Sequence, residues 1–272
     1  LDSAKALLIK TVNINSGTMN FAGVKEVGDI MRQEYDALGF KTEWVDGSEF
    51  NRAGHLVATY ESSTHPTGTK LLLIGHLDTV FAKDDNFQSA KEINSEHIAG
   101  PGISDMKGGN VIMLAAIKSL KAQNMLQRLN IKVVLTGDEE SSGRPLAKSK
   151  KALVDAAKWA DVALGFEDAD GDIRTAVTAR RGAATWQVTT SGNAAHSSQI
   201  FTEKVGDGAI FEMARILQAF RLQLAELPLL SFNPGVIAGG TRVTPNKGGD
   251  EVTAFGKTNV VAQSATVKGG LR

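Results

Sequence analysis

Ionisable side chains follow three predicted strands of this 272-residue chain, at the point where each strand ends. The strands and the residues that follow them are Leu71–Ile74 with His76 and Asp78, Ile131–Thr136 with Asp138, Glu139 and Glu140, and Val162–Gly165 with Glu167. A further carboxylate, Asp105, lies in a glycine-rich stretch directly before a predicted helix. Because the crevice of an open parallel sheet lies beyond the carboxyl ends of its strands, we expect these residues to converge at one sheet edge.

Carboxylates that pack together repel one another and lose hydration, so a cluster of them requires a cation. The chain has no cysteine and only five histidines, and one imidazole with several carboxylates suits a divalent ion such as Zn²⁺. His76 and Asp78 face the same way on an extended chain, so Asp78 can bond the far ring nitrogen of His76 and fix its ligating tautomer. The predicted site is therefore a metal centre.

Each of these features has a plainer interpretation when it is taken alone. His76 could be a satisfied polar residue at a strand end, residues 138–140 a solvated turn, and the acids from 167 to 172 a solvated loop. Gly100–Gly109 could be a turn or a phosphate cradle, but it has neither Walker spacing nor the third glycine of a dinucleotide fingerprint. No Gly-x-Ser-x-Gly elbow of a serine hydrolase is present. The plain interpretations would all have to hold at one sheet edge, which favours the metal centre.

The elements that must position these residues alternate between helix and strand over the first two thirds of the chain. Helices are predicted at about 24–38, 107–122 and 146–157 from apolar residues at helical spacing. Strands are predicted at 41–45, 55–60, 70–75, 131–136 and 161–166, and the last three are expected to be buried. This alternation predicts an α/β fold with a mostly parallel sheet and helices on both faces.

After about residue 180 the pattern is that of a smaller α+β unit. A strand at 183–190 precedes an amphipathic helix at 206–224, and two or three strands follow, separated by glycine-rich turns at 239–240 and 246–249. We predict a metal-binding catalytic domain at 1–179 and a lid or dimerisation domain at 180–272. Thirty acidic and thirty basic residues without a basic block argue against nucleic acid or a membrane surface as the main partner.

Six stretches together resemble one family of enzymes. They are Gly75-His-Leu-Asp-Thr-Val80, Gly100-Pro-Gly-Ile-Ser-Asp-Met-Lys-Gly-Gly109, Thr136-Gly-Asp-Glu-Glu140, Ala160-Asp-Val-Ala-Leu-Gly-Phe-Glu167, Ser191-Gly-Asn-Ala-Ala-His-Ser-Ser198 and 259–272. They resemble the two-zinc exopeptidases and deacylases that include bacterial glutamate carboxypeptidase, acetylornithine deacetylase and succinyl-diaminopimelate desuccinylase. The resemblance covers nearly the whole chain and is strongest to glutamate carboxypeptidase.

The resemblance implies a centre of two zinc ions bridged by Asp105, with Co²⁺ or Mn²⁺ as substitute metals, and a peptide bond after Asp105 that is commonly cis. His76 and Glu167 would complete one metal site and Glu140 the other. Glu167 is preferred over its neighbours Asp168 and Asp170 as the fourth acid. In catalysis, Asp78 would support His76, and Glu139 would be the general base that takes a proton from the attacking water.

On the second domain the resemblance implies residues that contact the substrate. His196 would polarise the scissile carbonyl, often across a dimer interface, and Asn259 would also contact the substrate. Arg272 would bind the substrate's C-terminal carboxylate, since a guanidinium pairs with a carboxylate bidentately. The partners implied are a small peptide or N-acyl amino acid and a second copy of the chain, bound through the second domain.

The predicted function is zinc-dependent hydrolysis of an amide bond next to a free carboxylate, as in a glutamate carboxypeptidase-like exopeptidase. An N-acyl amino acid deacylase of the acetylornithine deacetylase or aminoacylase type would use the same site. A non-catalytic dimerisation or binding protein on the same fold is the alternative from another class.

The ends of the chain carry two further expectations. The family takes a last histidine ligand from a later segment, and no histidine follows His196, so we expect that segment to be missing from these 272 residues. The chain begins at Leu1 without an initiator methionine. This beginning and the likeness to glutamate carboxypeptidase favour a periplasmic or secreted protein over a cytoplasmic one.

Overall fold

The computed structural model divides the chain into unit 1, Leu1–Ala176, and unit 2, Val177–Arg272, and each unit has a hydrophobic core of its own. The structure describes residues 2–168, 171–172, 174–246 and 251–272. Asp170, the alternative fourth acid, and residues 247–249 of the predicted turn lie outside the described residues. Among the described helices, none is both long and apolar enough to cross a membrane.

Unit 1 is built from strands and helices that follow one another along the chain. Its strands are β1 Lys41–Asp46, β2 Gly54–Tyr60, β3 Lys70–His76, β4 Lys91–Glu92, β5 Ile98–Ala99, β6 Asn130–Thr136 and β7 Val162–Gly165. Its α-helices are α1 Asp2–Val12, α2 Phe21–Leu38, α3 Gly108–Ala122, α4 Leu146–Ser149 and α5 Lys151–Trp159. The predicted elements of this unit are found with small shifts of their ends, and α1 is a helix that the sequence analysis did not predict.

Helix α2 begins and ends where its sequence supplies capping groups. The side chain of Asn20 accepts a hydrogen bond from the Gly23 N–H at the start of the helix. At its end, Gly39 has a φ of 94° and donates its N–H to the last turn, a left-handed conformation that glycine adopts without a steric cost. The buried residues of α2 recur three or four positions apart, which defines the face that packs against the sheet.

The central sheet of unit 1 has the strand order β1-β2-β6-β3-β7. Strands β6, β3 and β7 are parallel to one another, and β2 is antiparallel to both of its neighbours, so four of the five strands point the same way. The predicted mostly parallel sheet is therefore confirmed. In the register of β3 with β6, His76 lies opposite Thr136, which places the ends of both strands at the same edge.

Helices cover both faces of this sheet, as predicted. On one face α2 and α3 bury Met31, Leu114 and Ile117 against Leu73 and Val133. On the other face Ala156 of α5 packs with Leu72 and Val134. Neighbouring residues of β3 and of β6 belong to opposite clusters because side chains alternate across a strand.

The expectation that the strand at 161–166 is buried is wrong. All four residues of β7 are exposed, with Val162 at 44% and Leu164 at 46%. The reason lies in the strand order, because β7 is the last strand of the described sheet and pairs only with β3. An apolar run of four residues does not distinguish a central strand from an edge strand.

Unit 2 is an antiparallel sheet covered by one long helix. Its elements are β8 Ala184–Ser191, α6 Gly208–Leu224, β9 Phe232–Gly240, β10 Arg242–Pro245, β11 Val252–Phe255 and β12 Ser264–Leu271. The three-stranded sheet has the order β8-β12-β9, and β10 pairs with β11. Ala209 and Met213 of α6 pack on Ala265 and Val267 of β12, which is the covering role expected for an amphipathic helix. Among the described residues four strands follow the helix, where two or three were predicted.

Candidate metal centre

The end of β3 presents the imidazole of His76 from a fully buried position, with only 1% of the residue exposed. Its Nδ1 lies 2.9 Å from the backbone oxygen of Asp78, and because a carbonyl oxygen only accepts, Nδ1 must carry the proton. The lone pair of Nε2 then points at two carboxylates, 2.9 Å from Oδ1 of Asp105 and 3.3 Å from Oε1 of Glu167. This is the tautomer that a metal ligand requires.

The carboxylate of Asp78 is completely buried and is held by three donors. The hydroxyl of Thr18 donates to Oδ2 over 2.6 Å, and the backbone N–H groups of Glu139 and Glu140 donate over 3.0 and 3.2 Å. We predicted that the Asp78 carboxylate bonds the His76 ring, but the 2.9 Å partner of Nδ1 is the Asp78 backbone oxygen, and Oδ1 of the carboxylate lies 3.5 Å away. Asp78 therefore fixes the histidine through its backbone oxygen, and through its carboxylate it fixes the loop that carries the two glutamates.

Asp105 reaches the same place from the segment Ile103–Lys107, between Gly102 and the start of α3. The peptide bond between Asp105 and Met106 is cis, as the family resemblance implies. Two buried side chains anchor this segment and the first turn of α3. Lys107 donates to the backbone oxygens of Thr11 and Ile14 over 3.0 and 2.9 Å, and Asn110 donates to the backbone oxygen of His76 over 2.6 Å.

His76, Asp105 and Glu167 form one group in which one ligand atom from each residue lies within 4.8 Å of the others. Glu140 lies outside this group, but its carboxylate interacts electrostatically with that of Asp105. Burial raises the pKa of Glu140 to about 7, with the negative charge of Asp105 as the next cause. Burial also raises the pKa of Glu167, with the charges of Asp105 and Glu139 acting in the same direction. His76, Asp105 and Glu167 therefore converge at one sheet edge, as expected, and Glu139 and Glu140 interact with the same charges.

The pKa of His76 also reflects the excess of negative charge around the carboxylate cluster. Burial alone lowers the pKa of His76, but hydrogen bonding to Asp78 and the charges of Glu167 and Asp78 outweigh it and raise the pKa to about 9. A proton on Nε2 is one way to stabilise carboxylates at this distance, and a divalent cation between them is the other. The donor set of one imidazole and several carboxylates fits such an ion.

Two residues that hold the glutamate loop were not identified from the sequence. Asp138 does not point to the acid cluster, because its buried carboxylate accepts from the Gly143 N–H, the Ser149 hydroxyl and the Lys150 ammonium over 2.8, 2.5 and 2.9 Å. His55 accepts from the Gly137 N–H over 3.1 Å, and its Nε2 donates to the backbone oxygen of Ser149 over 2.8 Å. His55 belongs to no chemical motif, so the sequence contained no signal for this role.

The three predicted substrate-binding residues of unit 2 do not lie together. His196 and Asn259 are neighbours, since His196 pairs with Val260 and the Ser197 N–H donates to the Asn259 backbone oxygen over 3.0 Å. Arg272 lies beyond the opposite end of β12. Eight strand residues at about 3.3 Å each separate the two positions by roughly 25 Å.

The fold and the site define the class of this protein. Residues 72–239, more than half of the chain, match peptidase family M20/M25/M40, and the chain belongs to this family. The family is metal-dependent, typically on zinc, in agreement with the donor group of unit 1.

The individual proteins that this chain resembles share only a minority of its residues. The chain is 28% identical to carboxypeptidase G2 of Pseudomonas sp. (strain RS-16) over 77% of its own length and 49% of the relative's. It is 32% identical to a probable succinyl-diaminopimelate desuccinylase of Staphylococcus aureus (strain MRSA252) over 74% of its length and 47% of the relative's. The chain thus spans about half the length of these relatives. Among solved structures, a tripeptidase of S. aureus shares the fold, with a TM-score of 0.70 at 24% identity over 99% of this chain and 65% of the other.

Proposed function

We propose that this protein is a zinc-dependent hydrolase that cleaves an amide bond next to a free carboxylate, as an exopeptidase of the glutamate carboxypeptidase type. The observation that supports the proposal best is the convergence of His76, Asp105 and Glu167 within 4.8 Å at the carboxyl end of the parallel sheet. Membership of a peptidase family and the identity to carboxypeptidase G2 support the same class of reaction.

In this proposal His76, Asp105, Glu140 and Glu167 hold the metal. A bound divalent ion would polarise the scissile carbonyl and lower the pKa of water, which is the chemistry that the carboxylates alone do not supply. The protein itself fixes the orientation of these ligands. Asp78 keeps the proton on Nδ1 of His76, and through two backbone N–H groups it also holds Glu139 and Glu140 beside it.

Glu139 is proposed as the general base. Its backbone is fixed by Asp78, while the residue itself is exposed, so its carboxylate can reach a water molecule and a bound substrate. Glu139 would take a proton from the attacking water and deliver it to the leaving amine. Its charge raises the pKa values of both Glu140 and Glu167, which is consistent with a position beside the donor group.

The contacts to the rest of the substrate are proposed from the family resemblance. Arg272 would pair with the free carboxylate, and His196 and Asn259 would contact the scissile amide. Because β12 separates Arg272 from the other two by roughly 25 Å, one chain cannot bring all three to one substrate. A homodimer through unit 2, in which two chains contribute different residues to one substrate, resolves this separation.

A deacylase of N-acyl amino acids is the second candidate, favoured by the 32% identity to a probable succinyl-diaminopimelate desuccinylase. The two activities differ in the acyl side of the substrate. Comparing release of the free amino acid from N-acyl amino acids and from dipeptides with the same carboxyl-terminal residue discriminates between them. A non-catalytic protein on this fold would bind no zinc and cleave neither.

The proposal is tested by metal analysis and turnover of the full 272-residue chain. We expect zinc to bind, His76→Ala to lose it, and Glu139→Gln to keep the zinc content of the parent while losing hydrolysis of an N-acyl glutamate. Glu96→Gln, at an exposed position between β4 and β5, is the matched control and should change neither quantity. Loss of zinc in Glu139→Gln would show that Glu139 is a ligand, and absence of zinc in the parent would overturn the proposal.

A further inference from the structure

The two residues that follow the proposed metal ligand Glu140 are held by one side chain of another loop. Ser141 is exposed and Ser142 is half-buried, and neither belongs to a helix or a strand. The guanidinium of Arg52 donates from Nε to the Ser141 backbone oxygen over 2.7 Å, and from Nη2 to the Ser141 hydroxyl and the Ser142 backbone oxygen over 3.2 and 3.4 Å. Among the described residues, Arg52 is the only hydrogen-bond partner of these two serines.

Arg52 reaches the glutamate loop from a turn between β1 and β2 whose backbone is fixed. The Arg52 N–H donates to the Gly47 backbone oxygen over 3.0 Å, and Asn51 between them has a left-handed φ of 54°. Nη1 of Arg52 donates to the Asn51 backbone oxygen over 2.6 Å, which orients the guanidinium. A Cβ on Gly143 would lie 2.5 Å from the Phe50 backbone oxygen, so glycine at this position lets the two loops touch.

Arg52 and Asp78 anchor consecutive parts of the glutamate loop. The Asp78 carboxylate accepts from the N–H groups of Glu139 and Glu140. Arg52 then binds the backbone oxygen of the next residue, Ser141. Glu140 therefore lies between an anchor on its own N–H and an anchor one residue later. Without the second anchor, the backbone after Glu140 could rotate, and its carboxylate would no longer be held in one direction.

The guanidinium of Arg52 acts here as a hydrogen-bonding fork. The oxygens that accept these four bonds are backbone carbonyls and a hydroxyl, none of which carries a charge. The planar guanidinium directs several N–H groups at once, whereas a lysine ammonium has no fixed fork. Because Arg52 is only half-buried, we expect its replacement to change the overall stability of unit 1 little.

We infer that Arg52 is a positioning residue of the proposed reaction, which orients the Glu140 carboxylate through the backbone of Ser141 and Ser142. This role rests on the proposed function, in which Glu140 holds the metal and Glu139 takes the proton. Replacing a residue that orients metal ligands typically lowers metal affinity or activity by about 10–100-fold. Arg52→Ala should therefore weaken zinc binding by at least about tenfold. At saturating zinc it should lower kcat and leave KM unchanged, because the substrate contacts are assigned to unit 2.

The first measurement is a calorimetric zinc titration of the 272-residue chain and its variants. Arg52→Lys should recover little of the affinity lost in Arg52→Ala, since the ammonium cannot reproduce the fork. Millimolar methylguanidinium should restore part of the zinc affinity of Arg52→Ala, whereas methylammonium should not. Arg144→Ala, at an exposed arginine of the same loop, is the matched control and should bind zinc as the parent does.

The second measurement needs neither metal nor turnover. In the metal-free Arg52→Ala variant, the Glu139 and Glu140 amides should exchange hydrogen about 5–30-fold faster than in the parent, because hydrogen bonds that hold the loop are lost. The amides of β6 should keep the exchange rates of the parent, since the change is confined to the loop. A role in overall stability alone would accelerate the loop and β6 by the same factor.

The outcomes separate the positioning role from the proposed function. If Arg52→Ala keeps the zinc affinity of the parent and its exchange rates at Glu139 and Glu140, the positioning role is refuted and the proposed function stands. Equal acceleration of the β6 amides, or equal zinc loss in Arg144→Ala, refutes the positioning role as well. If the parent itself binds no zinc, both the proposed function and the positioning role fail.

Discussion

The buried carboxylate of Asp138 offers the sharpest test of how the glutamate loop is held. Replacing it by asparagine removes the charge but keeps the shape, so the effect reports the charge and its three donors. The donors are the Gly143 N–H, the Ser149 hydroxyl and the Lys150 ammonium, and the carboxylate is fully buried. Since a hydrogen bond to a charged group contributes about 1.5–3 kcal/mol, we expect Asp138→Asn to lower the free energy of unfolding of unit 1 by about 3 kcal/mol.

The assay is urea denaturation, combined with hydrogen exchange of the β6 amides so that unit 1 is followed by itself. For a unit of this size, 3 kcal/mol corresponds to a decrease in Tm of roughly 6–12 °C. Asp155→Asn is the matched control, because the carboxylate of Asp155 pairs with Lys151 at the surface, where such pairs contribute about 0–1 kcal/mol. A loss below about 1 kcal/mol for Asp138→Asn, or equal losses for both variants, would refute the reasoning.

Three further predictions follow from described contacts. His55→Leu should weaken zinc binding by releasing the Gly137 N–H, whereas His55→Asn, with an oxygen near the place of Nδ1, should recover much of it in a calorimetric titration. Burial lowers the pKa of His55 below its ordinary 6.5, so the unfolded chain takes up this proton first. The unfolding free energy should therefore decrease as the pH falls below about 6.5, and in His55→Asn this component should be absent. Gly17→Ala should cost about 1–3 kcal/mol because its Cβ meets the Phe81 oxygen, while Gly165→Ala, with open space around it, should be neutral in the same denaturation assay.

The sequence predicted the positions of His76, Asp105 and Glu167 because all three depend on strand ends and on one glycine-rich turn. Parallel strands bring such residues to one edge regardless of the details of packing. The direction of a side chain within a turn, in contrast, depends on which groups pack around it and was not predicted. Asp138 stands next to two glutamates in the sequence, yet it faces Lys150 and Ser149, because these groups are supplied by α4 and its end.

The errors in the fold have similar causes. The composition of β7 resembles that of a central strand, and only the strand order shows that no strand of the described part of the chain pairs with its other side. In unit 2, Asn259 and Arg272 stand thirteen positions apart in the sequence, and most of this interval is a single extended strand. Because β12 places them at opposite ends, the prediction that both contact one substrate stays a prediction, and in the proposal above it requires two chains.

The parallel pairing of β3 with β6 has a consequence for the order of events during synthesis. Leu71 of β3 pairs with Ile131 of β6. Sixty further residues must therefore be synthesised after Leu71 before its partner in the sheet exists. The two N–H groups that hold Asp78 belong to Glu139 and Glu140, and they too are made late. Because contacts this distant in sequence form slowly, a growing chain exposes His76 and Asp105 well before the scaffold that orients them, and a metal ion bound then would meet an unordered set of ligands.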